Sequence, residues 1–108
     1  MDKTINRNTV IEKAKNFYEY IKVQGFNVER MYLFGSYAKN TNREDSDIDL
    51  AIILKAPVVD IIETHMKLMR IAGRFDDCLV EPYPFDENSF IDGNPLAEEV
   101  KKTGIRII

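Results

Sequence analysis

The sequence predicts an α/β domain in which helices cover mainly one face of a small mixed β-sheet. Short apolar runs of strand length alternate with longer stretches in which apolar residues recur at helical spacing. The length of 108 residues suits one domain with one core, so residues 1–108 are expected to form a single unit. A composition with 44% hydrophobic and 31% charged residues is typical of a folded protein.

The first half of the chain predicts a helix, a strand and a short second helix. The first helix is expected to begin at Asn8-Thr9 and to end at Gly25. The first strand follows over Val28–Phe34 and ends at Gly35-Ser36. A short helix then begins near Tyr37, with Ser36 as its expected cap.

The second strand and the helix after it are marked by apolar residues. Leu50–Leu54 is a continuous apolar run, as in a buried strand. A helix is expected from about Val58 to Phe75, with His65 on or beside its apolar stripe. A single histidine there is more often packed than catalytic. The residues of that stripe are Val58, Ile61, Ile62, His65, Leu68, Met69 and Ala72.

The last third of the chain predicts one more strand, two helical segments and a short tail. The run from Cys78 to Phe85 reads as a third strand, and its two prolines favour a sheet edge. Asp86 is expected to cap a helical turn, and Asn94 to cap the last helix before Gly104 ends it. The apolar tail from Ile105 to Ile108 is expected to pack within the domain, as an extra edge strand for example, and a partner contact is the alternative.

The charge, the cysteine content and the length of the apolar runs limit which classes of partner and which compartments are expected. The net charge is -3 and there is no basic excess, so direct DNA binding is not expected. The single cysteine, Cys78, excludes an internal disulfide and fits a reducing compartment such as the cytoplasm. No apolar run is long enough to span a bilayer, so no membrane role is expected.

Two carboxylates at the start of the second strand predict a metal site. Side chains alternate along a strand, so Asp47 and Asp49 point to the same face. Neighbouring carboxylates repel one another, and a divalent cation removes that cost. Carboxylate oxygens suit Mg²⁺ or Mn²⁺, and Mg²⁺ commonly joins such carboxylates to substrate phosphates.

The Gly35-Ser36 turn predicts a phosphate contact opposite those carboxylates. Glycine lets the backbone approach a ligand closely, and the free N–H groups at the start of a helix attract anions. Lys39 and Arg43 are further candidate phosphate contacts, because a triphosphate near carboxylates also needs positive charge. Together these features predict a nucleotide site.

Gly35-Ser36, ten further residues and then Asp47-Ile48-Asp49 resemble the GS-x10-D-x-D signature of the DNA polymerase β-type nucleotidyltransferase superfamily. The short chain is similar to the superfamily's smallest members, the minimal nucleotidyltransferase (MNT) proteins. It departs from many of them at Asn40, where relatives often have Gly. Asparagine tolerates left-handed backbone geometry, so the turn is expected to survive.

The resemblance implies a third acidic residue on a neighbouring strand. Asp76, Asp77 and Glu81 are the candidates. Asp76 and Asp77 follow a predicted helix and are expected in a turn. Glu81 lies within an apolar strand, where a carboxylate calls for a compensating charge. We therefore favour Glu81 as the third metal ligand, while the other two acids stay open.

The resemblance also implies transfer of AMP from ATP to a tyrosine of a HEPN-domain toxin, with the MNT protein as antitoxin. The small size agrees with an acceptor surface that belongs to another molecule. Two alternatives stay open. A catalytically silent protein would neutralise its partner by contact alone. A stand-alone transferase would modify a small hydroxyl compound, with a homodimer supplying the shared cleft.

Overall fold

A computed structural model describes residues 6–43, 46–75 and 79–108. Four α-helices, four strands and one turn of 3-10 helix occur in these ranges. None of the helices found there combines the length and the hydropathy needed to cross a membrane. The helices are α1 (Arg7–Val23), α2 (Ser36–Lys39), α3 (Ile61–Ala72) and α4 (Pro95–Thr103). The strands are β1 (Val28–Phe34), β2 (Ile48–Leu54), β3 (Val80–Asp86) and β4 (Ile105–Arg106), and the 3-10 turn is Glu87–Ser89.

The four strands form one mixed sheet in the order β3-β2-β1-β4. Strand β1 runs antiparallel to both β2 and β4, whereas β2 and β3 are parallel. The predicted mixed sheet is confirmed, and so are the edge positions of β3 and β4. Because of these directions, β1 ends at the same end of the sheet at which β2 and β3 begin. This brings Gly35 toward Asp49 and Glu81.

Helices cover both faces of the sheet, with the two longest on the same face. Helices α1 and α3 pack their buried Phe17 and Leu68 into a core with Leu33 and Leu50. Helix α4 packs on the opposite face, together with alternate residues of β2 and β3. Since β2 is covered on both sides, its run from Leu50 to Leu54 is buried throughout, as a continuous apolar run predicts.

The expected starts of α1 and α2 are wrong by one residue, and that of α3, described below, is wrong by three. Helix α1 begins at Arg7 because the side chain of Asn6 accepts a hydrogen bond from the Thr9 N–H at 2.9 Å. The predicted start at Asn8-Thr9 is therefore late. Ser36 is the first residue of α2 rather than its cap, since the capping position belongs to Gly35 and no side chain caps this helix.

The caps predicted for the last third of the chain are confirmed. The Asp86 carboxylate accepts a hydrogen bond from the Asn88 N–H at 2.8 Å and begins the 3-10 turn. Asn94 Oδ1 accepts from the N–H groups of the second and third residues of α4. Gly104 ends this helix, as expected, and its N–H donates to the Val100 carbonyl.

Helix α3 is shorter and more exposed than its sequence predicts. It begins after Asp60, whose carboxylate caps it, and ends at Ala72. Leu68 and Ala72 are buried, but Ile62 is 71% exposed and Met69 is 47% exposed. Because each helical residue advances about 100°, Ile62 and Met69 lie roughly 100–120° around the helix from Leu68. The predicted stripe is thus wider than the face that packs on the sheet.

Candidate functional site

The two carboxylates of the Asp-x-Asp pair lie at the beginning of β2. Asp47 comes directly before the strand and is exposed, while Asp49 is its second residue and is half-buried. The alternation of the strand puts Asp49 on the face covered by α4, because Ile48 and Leu50 belong to the core on the other face. Asp49 is thus the more enclosed member of the pair.

Gly35 lies against the Asp49 carboxylate. The preceding residue, Phe34, is paired with Asp49 across β1 and β2. Gly35 has φ 74° and ψ -150°, a conformation that is essentially restricted to glycine. A Cβ atom built on Gly35 would overlap Asp49 Oδ2. The close approach and the backbone geometry therefore both require glycine at the end of β1.

Glu81 is the partner of Asp49 on the neighbouring parallel strand. The register of β2 and β3 pairs Asp49 with Glu81, so the two side chains leave the same face of the sheet. This is the acid that the sequence favoured as the third carboxylate. The two competing candidates, Asp76 and Asp77, lie outside the residues that the structure describes.

The electrostatic environment of Asp49 is unfavourable for a bare carboxylate. Its pKa is raised from 3.8 to about 6, chiefly by burial and also by repulsion from the charges of Asp47, Glu81 and Glu99. Like charges close to one another disfavour ionisation. Three acidic residues thus concentrate negative charge around the half-buried Asp49: Asp47 directly before β2, Glu81 on β3 and Glu99 on α4.

The carboxylates fit a hard divalent cation whose coordination shell is completed by oxygens of a substrate and of water. Within the described ranges, no three His, Cys, Asp or Glu side chains are close enough to hold a metal by themselves. Mg²⁺ does not need such a cage, since it commonly uses one or two carboxylates together with water and phosphate oxygens. The acidic residues around Asp49 offer carboxylate oxygens, which hard divalent cations prefer. A bound cation would also offset the repulsion at Asp49.

Helix α2 continues directly from Gly35 and is anchored from outside. Arg7 Nε donates to the Tyr37 carbonyl at 3.1 Å, and its Nη2 donates to the Ala38 carbonyl at 2.9 Å. The helix ends at Asn40, which has φ 63° and the left-handed conformation that asparagine tolerates. Arg7 thus satisfies carbonyls that a four-residue helix cannot satisfy internally.

The two predicted cationic contacts have different surroundings. Lys39 Nζ lies 3.3 Å from Glu99 Oε1, and both side chains are about half exposed. Since Glu99 also acts on Asp49, this ion pair lies at the border of the carboxylate cluster. Arg43 is exposed in the segment that leads to Asp47, and its backbone N–H donates to Ser46 Oγ at 2.7 Å.

Two residues near the site were missed by the sequence reasoning. Tyr83 has a raised pKa because it is partly buried and lies near Asp49, Glu81 and Asp47. Its position two residues after Glu81 on the same strand was a signal that could have identified it. Glu99 had no such signal, because only the packing of α4 brings it to the sheet.

His65 has a packing contact at the border of this region. Its half-buried ring lies 6.2 Å from the ring of Tyr83, in a tilted arrangement. Tyr83 in turn packs edge-on against Phe34, with the ring centres 5.2 Å apart. The aromatic contact agrees with the expectation that His65 is a packed residue.

Comparisons with known proteins agree with this arrangement. The sequence model described as "Polymerase beta, Nucleotidyltransferase" matches residues 9–108. A Methanocaldococcus jannaschii protein named "Putative protein adenylyltransferase" is 30% identical over 105 residues, which cover 91% of this chain and 98% of that protein.

Solved structures share the fold at lower identity. The crystal structure of a Sulfolobus solfataricus protein described as "a putative nucleotidyltransferase" has a TM-score of 0.64 at 22% identity, with 93% of this chain and 80% of that chain covered. A toxin–antitoxin structure with AMP-PNP has a TM-score of 0.59 at 24% identity, covering 96% of this chain and 73% of that chain. The toxin–antitoxin MntA–HpeT in a mutant form has a TM-score of 0.58 at 23% identity, with the same two coverages.

Proposed function

We propose that this chain, a minimal nucleotidyltransferase that belongs to the polymerase β nucleotidyltransferase family, moves AMP from ATP to a hydroxyl group of a partner protein. The observation that carries the proposal is the contact of Gly35 with the Asp49 carboxylate, which has Glu81 beside it on β3. A backbone turn suited to phosphate thus lies next to carboxylates suited to a cation. The name of the Methanocaldococcus jannaschii relative supports an adenylyl donor and a protein acceptor.

In this proposal the acidic residues hold the metal. Asp47, Asp49 and Glu81 would bind Mg²⁺, or Mn²⁺, which would supply Lewis acidity at the α-phosphate and favour a hydroxyl nucleophile. The negative charge collected around Asp49 supports this assignment, since a bound cation would stabilise the ionised form of all three acids.

The remaining site residues orient ATP for in-line displacement. The backbone at Gly35 and Ser36 would hold the β- and γ-phosphates, and Lys39 and Arg43 would balance their charge. The acceptor oxygen attacks the α-phosphorus, the bond to the β-phosphate oxygen breaks and pyrophosphate leaves. Glu81 would accept the proton of the attacking hydroxyl.

We further propose that the acceptor is a tyrosine of a HEPN-type toxin and that the chain acts as its antitoxin in the cytoplasm. Support comes from the shared fold with structures described as toxin–antitoxin. The exposed apolar side chains of Ile62, Met66 and Met69 on α3 also agree with a protein partner.

A transfer assay with a matched pair of variants tests the chemistry. The chain is co-purified with its co-expressed partner and given ATP labelled at the α-phosphate with Mg²⁺. We expect label on the partner, with a loss of about a hundredfold or more in rate for Asp47→Asn. Asp92→Asn is the control, because this carboxylate is 94% exposed and lies in the turn before α4.

Each outcome of that assay decides between specific readings. Label that persists unchanged in Asp47→Asn, or in the presence of EDTA, would contradict a metal-dependent mechanism at this site. No label with any variant, while the complex still forms, would favour the catalytically silent antitoxin. If the partner is labelled by the wild type, mass spectrometry of that partner would show whether AMP is on a tyrosine.

A further inference from the structure

A second concave site lies at the other end of the sheet from the Gly35 turn. It is a cavity of about 640 Å³ between the end of α1, the end of β2 and one side of α3. The β1–β2 register pairs Phe34 with Asp49 at one end and Val28 with Leu54 at the other. At about 3.4 Å per residue, Asp49 and Leu54 are roughly 17 Å apart along β2, so the cavity is separate from the carboxylate cluster.

The cavity is strongly cationic in a chain that is acidic as a whole. Lys55, Lys67, Arg70 and Arg74 all line it, and among the described residues no Asp or Glu does. The chain has a net charge of -3, so this concentration of positive charge runs against the overall composition. Lys67 has a partner in Glu63 at 3.0 Å, but both side chains are more than half exposed, and such pairs are weak.

The lining also offers apolar and amide surface. Tyr20, Phe26 and Leu54 contribute apolar side chains, while Gln24 and Asn27 add amide groups that can donate hydrogen bonds. The site is an open cleft, and its volume is large enough to hold a small organic molecule. An inorganic anion would use only the basic side chains and would leave the apolar surface exposed.

We propose that this cavity is a second ligand site, which binds a phosphorylated small molecule with an apolar or planar body, such as a nucleotide. Arginine and lysine on α3 and the end of β2 contact the phosphate, while Tyr20 and Phe26 contact the body of the ligand. A nucleic-acid duplex suits the surface less well, because it needs a broad basic face and this chain has a net negative charge. The proposal is independent of the transfer reaction at Asp49.

An NMR titration of the full chain tests this site residue by residue. The probe is AMP with EDTA present, so that no metal directs it to the carboxylates. We expect shifts at the amides of Asn27, Lys55 and Arg70. Arg70→Glu should weaken AMP binding at this site about tenfold or more, because it removes a charge-assisted phosphate contact.

Lys15→Glu is the matched control, since it makes the same change in net charge on an exposed position of α1 outside the cavity. It should change the AMP affinity less than about twofold, because it leaves every phosphate contact in place. Ribose 5-phosphate and inorganic phosphate, titrated separately, should bind more weakly than AMP because they lack the planar body. Shifts confined to Gly35 and Ser36, equal effects of the two variants, or phosphate affinity equal to that of AMP would each overturn the proposal.

Discussion

Gly35 and Asp49 meet where β1 ends and β2 begins, with the glycine backbone lying against the carboxylate. A Cβ on residue 35 would occupy the space of Asp49 Oδ2, and the φ of 74° is itself unfavourable for any other residue. The turn after β1 is therefore matched to the carboxylate on β2. A change at Gly35 would therefore affect both the proposed phosphate contact of its backbone and the proposed metal ligand Asp49.

Gly35→Ala should damage both stability and transfer. The substitution imposes an unfavourable backbone conformation and displaces Asp49, so we expect the free energy of unfolding to fall by about 2 kcal/mol or more. Urea denaturation at pH 7 measures this loss, and the transfer assay should show a strong decrease in rate.

Gly25→Ala separates the two causes in that prediction. Gly25 also has a positive φ, of 99°, but a Cβ there would meet nothing within 4 Å. It should therefore show the backbone cost alone and leave transfer intact. Equal losses of stability for the two variants would contradict the close contact with Asp49.

Asp49→Asn should stabilise the protein at neutral pH. The folded-state pKa of Asp49 is raised from 3.8 to about 6, so the folded chain binds the proton more tightly than the unfolded chain. Stability then falls as the pH rises from about 4 to about 6 and stays lower above that range. Asparagine removes this loss, which is about 1–2 kcal/mol after allowance for partial solvent exposure.

Thermal or urea unfolding between about pH 3.5 and pH 8 checks the sign of that effect. The variant and the wild type should have nearly equal stability at the acid end of this range, and the advantage of the variant should grow between about pH 4 and about pH 6 and stay constant above that. The Asp92→Asn control should show no such gain. A constant difference at all pH values would mean that the charge of Asp49 is not the cause.

Glu81→Gln should reduce transfer by about a hundredfold or more if Glu81 is the third carboxylate, because its charge is lost and its shape is kept. The same change should lower the pKa of Asp49, since one repelling charge is removed. Glu29→Gln, an exposed carboxylate near the beginning of β1, is the control. Wild-type transfer by Glu81→Gln would direct attention to Asp76 and Asp77.

Asn40→Ala should lower the free energy of unfolding by about 1 kcal/mol, because a Cβ disfavours the left-handed conformation and alanine lacks the amide that helps asparagine adopt it. Asn40→Gly should stay within about 0.5 kcal/mol of the wild type, because glycine has no Cβ to disfavour the left-handed conformation. Chemical denaturation measures both. A loss in Asn40→Gly as large as in Asn40→Ala would show that the asparagine side chain matters more than the backbone conformation.

Much of the fold could be predicted from local patterns. The bounds of β1 agree with the prediction, and Asp86, Asn94 and Gly104 act at the helix ends as expected. Alternation along a strand also predicted that Asp49 lies on the face opposite Ile48 and Leu50. The prediction was wrong at α1 and α2, where Asn6 and Gly35 take the positions expected of Asn8 and Ser36. It was also wrong at α3, which is Ile61–Ala72 and therefore shorter at both ends than the expected helix.

The metal, phosphate and acid–base roles of the site residues remain predictions. The positions of these residues in the fold could be inferred only in part from their order in the chain. The order Gly35-Ser36, Asp47, Asp49 was visible in the chain, and the strand position of Glu81 favoured it over two competing acids. The pairing of Glu81 with Asp49 depends on the parallel register of β2 and β3, which the spacing of the residues did not contain.

The sequence by itself determined where the strands and most helices form, because periodicity, prolines and capping side chains act over a few neighbouring residues. Only the tertiary structure decided that Glu99 of α4 joins the acids around Asp49, that Arg7 anchors α2, and that Ile62 and Met69 stay exposed. These facts depend on which elements pack together and at what angle. Long-range packing therefore adds Glu81 and Glu99 to the charge that neighbouring Asp47 already places beside Asp49, and it also supplies the burial that raises the pKa of Asp49.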